Sequence, residues 1–171
     1  MNLESIFLLQ FLLSLAAWGT IAAFIARPWL ASLPRHEALA WLAVPHAFRH
    51  LGMVFLVPGV VYQPLPASFA IPAAYGDLAA GVLALLALVA LHRRWAVAIA
   101  LVWLFNIVGT VDLVRALSQT GVVPLFGAAW YIPTMIVPLL LVTHAMSFRF
   151  LIARERHPAA STQAPDGIPL R

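Results

Sequence analysis

The stretch PHAFRHLGMVF, residues 45–55, sets His46, Arg49 and His50 inside a run of otherwise apolar residues. An imidazole can take or give a proton near neutral pH, and a guanidinium can grip an oxygen-bearing head group through several N–H groups at once. His46 and His50 are four apart, a spacing that puts both on one face of an α-helix with Arg49 beside them. Asp77, Asn106, Thr110, Asp112, Thr143 and His144 stand in equally apolar surroundings further along the chain. Together these residues could hold a polar head group and move a proton. His50, His46, Asp77 and Asp112 are the candidate catalytic groups. Arg49, Asn106, Thr110 and His144 are the candidate ligand-binding groups.

The residue types also rule chemistry out. All ten basic residues are arginine, so no lysine can form a Schiff base with retinal or another carbonyl. There is no cysteine, which removes disulfide exchange, thiolate zinc sites, iron–sulfur clusters and covalent c-type haem. The His46/His50 spacing would suit a metal, but the adjacent Arg49 opposes a cation and the stretch has no carboxylate, so no metal site is expected. No nucleophile stands beside an obvious base, and hydrolysis is disfavoured accordingly.

The elements that must position these groups follow from composition. Of 171 residues, 63% are hydrophobic and only 9% are charged, against about 25% charged in soluble domains. The pattern predicts an all-α integral membrane bundle of five transmembrane helices, over residues 5–26, 38–62, 72–91, 95–117 and 126–150. Residues 1–157 form one transmembrane domain on this reading, and 158–171, with Pro, Ala, Ser, Thr and Gly but no apolar periodicity, form a disordered cytoplasmic tail. MNLE has no basic residue ahead of the first span, so a helix is expected there and not a cleaved signal. No internal repeat is evident.

Arginine placement orients the bundle. Arg27 and Arg35 flank the first loop, Arg93 and Arg94 sit in the third, and Arg149, Arg154 and Arg156 mark the C-terminal flank, whereas QPLPASFA has no charge and SQTGVVPLFG has only Arg115 nearby. Positive loops face the cytoplasm. An N-terminus outside and a C-terminus inside are predicted, in a cytoplasmic membrane. The pI near 10.7 therefore reads as an orientation signal, and no nucleic-acid partner is expected. Trp29, Trp41, Trp95 and Trp130 fall near predicted span ends, where indoles favour the interface.

A rise of 1.5 Å per residue from Ala38 carries Arg49 and His50 about 16–18 Å deep, and Asp77 and Asp112 about 9 Å below the opposite ends of their spans. A charge near mid-bilayer costs about 2.5–3.5 kcal/mol on insertion scales, so Arg49 needs a counter-charge. Asp77 is the first choice and Asp112 the second, although Arg115 at i+3 gives Asp112 a local alternative. Pro45 should open a kink just before His46.

With PHAFRHLG, AAYGDL and FNIVGTVDL spread along it, the chain resembles a family of small uncharacterised bacterial multi-pass membrane proteins. That resemblance implies no activity. The architecture is also loosely similar to that of sterol-isomerase-like membrane proteins, without a matching catalytic motif.

Three functions suit these residues. The first is binding of a lipophilic molecule, a quinone, terpenoid or lipid, with Arg49 on its head group and proton-transfer isomerisation or cyclisation as the chemistry. The second is a non-catalytic membrane subunit, assembly factor or small transporter whose polar layer is structural. The third is a haem held between His144 and a histidine of the second span. The sequence determines neither the cofactor nor the oligomeric state, and names no partner beyond the bilayer and such a molecule.

Overall fold

Five apolar stretches fold into helices long and apolar enough to cross a membrane: Leu3–Ala31, Arg35–Leu56, Ala67–His92, Ala98–Leu117 and Gly127–Ile152. The computed structural model describes residues 2–153, among which no strand occurs. The tail expected at 158–171 lies outside the described residues. The third span packs between the second and fourth, while the fifth packs against the first, second and fourth. Helix boundaries differ from the sequence-based ones where proline is involved. The third span starts ahead of Pro72, because the Pro66 carbonyl accepts the N–H groups of Phe69 and Ala70, both at 2.9 Å, and launches the helix early.

Two other prolines are absorbed by local widening. Proline inside a helix lacks a donor and crowds the carbonyl four residues back. A π-turn at Ala22–Ala26 closes with the Arg27 N–H on the Ala22 carbonyl just before Pro28. A second, at Ile132–Ile136, closes with the Val137 N–H on the Ile132 carbonyl just before Pro138. In both, the wider turn gives the pyrrolidine ring the room an α-turn would deny it. The second π-turn also ties down the first span, since Trp18 donates its indole N–H to the Met135 carbonyl at 3.2 Å.

The second span changes geometry at Pro45. It is α-helical over Arg35–Ala43 and a 3-10 helix over Val44–Leu56. Such helices rarely exceed roughly three or four residues unless surroundings hold them. Here the surroundings do, because a three-residue repeat aligns His46, Arg49, Gly52 and Phe55, all buried, on one stripe. In an α-helix every third residue slips by about 60°, which would turn Phe55 about 180° away from His46.

The loop after the second span closes against the entry to the fifth. Tyr62 donates its N–H to the Leu125 carbonyl at 2.9 Å, and Ala128 donates to the Val60 carbonyl at 2.8 Å. Gly127 makes this contact possible, with φ +50° and no side chain to strike the Val60 carbonyl. At the other end Arg35 donates to the Phe150 carbonyl at 3.1 Å and the Leu151 carbonyl at 2.7 Å, capping the last turn of the fifth span.

The buried face of the third span is almost entirely small: Ala70, Ala73, Ala74, Ala80, Gly81, Ala84, Ala87 and Ala90. Small residues let helix backbones approach closely where lipid offers no hydrophobic drive for helix association. Asp77 is the one charged residue in that stripe. Ala84→Leu should therefore overpack the interface and cost about 1–3 kcal/mol. Val82→Leu, at a half-exposed position, should cost nothing measurable. Thermal unfolding of the two variants in detergent checks both.

Candidate functional site

Arg49 is reached from three other spans. Its side chain is fully buried, and its Nε donates to Asp77 Oδ1 at 2.7 Å. The Nη2 donates to Asp112 Oδ2 at 2.6 Å. The Nη1 donates to the Gly109 carbonyl at 3.1 Å and to His144 Nε2 at 3.3 Å. Four of the five guanidinium N–H groups thus have acceptors, drawn from the third, fourth and fifth spans. Asp77 and Asp112, first and second choice as partner, are both engaged. Asp112 turns to Arg49 and leaves Arg115 exposed at the end of its span.

Glycines make the space for these groups. A methyl on Gly52 would collide with the Asp77 carboxylate, and one on Gly76 with that of Asp112. On Gly109 it would lie 2.5 Å from Arg49 Nη1 and 2.8 Å from His144 Nε2. Gly81 lets the backbone of the second span come close, at 3.3 Å from its would-be Cβ to the His50 nitrogen.

Hydrogen bonding assigns the state of His144. The Asn106 amide nitrogen donates to the Val102 carbonyl at 2.8 Å, so the amide oxygen is the atom facing His144 Nδ1, also at 2.8 Å. Nδ1 must therefore be the donor. Nε2 then carries the lone pair that accepts from Arg49, and the ring is neutral. His46 packs against it with ring centroids 4.0 Å apart and the planes tilted by 44°, and shares a 3.0 Å contact between its Nε2 and the Thr143 hydroxyl. His46 Nδ1 and the hydroxyls of Ser147 and Thr110 have no hydrogen-bond partner among the described residues.

The other candidates divide. His46, Asn106 and His144 join the cluster, whereas Thr110 does not. His50 does not share a face with His46 as the i, i+4 spacing predicts. It is exposed, and its Nδ1 turns back to the Ala47 carbonyl at 3.2 Å. The 3-10 geometry is the reason, because a repeat of three advances the stripe from His46 to Arg49 and on to Gly52. Gly52 is a residue the sequence reading missed, although the period-three string H-x-x-R-x-x-G-x-x-F contains the signal.

Two cavities meet the cluster. One of about 180 Å³ lies between the second and fifth spans, with Arg49 and Asp77 as its charged lining among apolar side chains such as Leu51, Ile136 and Leu140. Phe48 and Leu51, both more than half exposed, form its rim. The other, about 50 Å³, reaches Asp77 and Asp112 past Phe7, Phe55, Phe69 and Phe126.

Residues 6–152 match the family described as Domain of unknown function (DUF8737). The chain belongs to this family. The DUF8737 match takes in all five spans and every member of the Arg49 cluster. No curated protein and no solved structure matches the chain.

The glycine contacts give a direct test. Gly109→Ala should push the guanidinium away from its acceptors and destabilise the fold by about 3–5 kcal/mol, the range seen when a buried pair is broken. Gly19→Ala, within the first helix, has open space around it and should not destabilise the fold. Unfolding midpoints of the two variants, compared in one detergent, decide the matter.

Proposed function

We propose that this DUF8737 chain is a multi-pass protein of the bacterial cytoplasmic membrane that binds a lipophilic small molecule at the Arg49–Asp77–Asp112 cluster. Its N-terminus lies outside and its C-terminus in the cytoplasm, as the alternating arginine-rich loops favour. The observation that carries the binding reading is the cavity between the second and fifth spans. An apolar tail entering past Phe48 and Leu51 would bring its polar end to Asp77 and Arg49. For proton transfer to such a ligand, Asp77 is the group within reach of that cavity. His46 is packed behind His144 and His50 faces outward, so neither suits the acid–base role.

The saturation of Arg49 favours a second reading, in which the cluster is a structural pin of a non-catalytic subunit, assembly factor or small transporter. Little supports the haem reading. A porphyrin must sit between its two axial nitrogens, whereas the rings of His46 and His144 are in van der Waals contact and His50 is exposed with its Nδ1 on the Ala47 carbonyl.

Ile136→Trp separates the first two readings, because Ile136 is half-buried in the cavity lining and far from the ion pairs in chemistry. Native mass spectrometry of protein purified in mild detergent should show a bound lipophilic molecule on the wild type and its loss in the variant. An unliganded wild type, or equal occupancy in Ile136→Trp, leaves the structural reading standing alone.

A further inference from the structure

Hydrogen-bond inventory and charge at the cavity floor narrow the class of ligand. Arg49, the cation that would grip an anionic head group, has already committed four of its five N–H groups to protein acceptors. The carboxylates are less committed. Asp77 engages Arg49 through Oδ1 and Asp112 through Oδ2, and the other oxygen of each accepts no hydrogen bond among the described residues. Both carboxylates also retain some exposure, with 12% of each side chain accessible. The unused capacity facing the cavities is therefore for accepting.

The charge count points the same way. Two carboxylates face one guanidinium, and the hydrogen bonds of His144 make its ring neutral. Arg115, three residues beyond Asp112, is exposed at the span end and makes no ion pair with either aspartate; its attraction for Asp112 is the weakest of the charges acting there. An excess negative charge in surroundings of low dielectric draws a proton or a positive guest and repels a negative one. Phenyl rings strengthen the bias, because Phe55 and Phe69 wall the narrow cavity on the other side of Asp77 and aromatic faces attract cations.

We infer that the ligand is a lipophilic amine, bound as an ammonium to Asp77 with Asp112 supplying the excess negative charge, its aliphatic tail lying in the cavity between the second and fifth spans. This rests on the binding reading above and reverses the polarity first expected of the head group. A phospholipid amine fits less well, since its phosphate would bring back the negative charge the site disfavours.

Dodecylamine, dodecanol and laurate carry the same chain under three head groups and make the test. Each is titrated against wild type, Ile136→Trp and Asp112→Asn in phosphatidylcholine nanodiscs, with binding read by native mass spectrometry and thermal shift. The amine should bind the wild type at least tenfold more tightly than the alcohol or laurate. Ile136→Trp should abolish that binding, and in Asp112→Asn the amine should fall to the level of the alcohol. If Asp112→Asn does not fold, the wild-type ranking alone decides. Binding of all three with equal affinity and full sensitivity to Ile136→Trp overturns the amine assignment and keeps the cavity reading. Binding of none overturns both.

Discussion

A guanidinium buried among apolar helices is the constraint on which the arrangement turns. Arg49 cannot be left without acceptors once it is buried away from water, so each neighbouring span must bring one to it. The third supplies a carboxylate, the fourth a carboxylate and a backbone carbonyl, and the fifth an imidazole. That requirement fixes the rotation of three helices about their own axes. It also explains the glycines, because acceptors can converge at 2.6–3.3 Å only where side chains stand aside. The first span contributes nothing to the cluster and has no buried residue in its α-helical part, Leu3–Ile21. It is held from outside, through Trp18 and the bond from Trp130 to Gln10 at 2.6 Å.

Backbone irregularity is the means by which the site is aimed. Pro45 sits where the second span leaves α geometry, and the tighter helix beyond it presents Arg49 and His46 on the same stripe. Pro138 sits just after the π-turn of the fifth span, in the first turn of the α-helix Val137–Ile152 that carries Thr143 and His144. A π-turn inserts an extra residue into the local repeat and rotates everything after it. His144 therefore meets Arg49, and His46 meets His144, through two distortions that each begin at a proline.

This division explains what could be read from the residues. Five apolar runs of spanning length are visible without tertiary information, since hydropathy is additive along the chain. The pairing of Arg49 was legible because Asp77 and Asp112 are the acidic residues between the predicted interfaces, and a buried charge must be compensated. The face of the second span was not legible. His46, Arg49 and His50 satisfy an α-helical repeat as readily as a three-residue one, and packing against Gly81 and Asp77 decides between them. The His46–His144 contact was equally hidden, because it depends on helix rotations that no local pattern records.

The long 3-10 segment also changes how the chain tolerates insertion and deletion. Along the third and fourth spans, a change of three or four residues returns the following side chains near their original face. Between Val44 and Leu56 the permissible step is three, and four would carry Phe55 off its cluster with Phe69 and Phe126. A homologous stretch of different length should thus differ by whole turns of three residues, a stricter rule of descent than its neighbours obey.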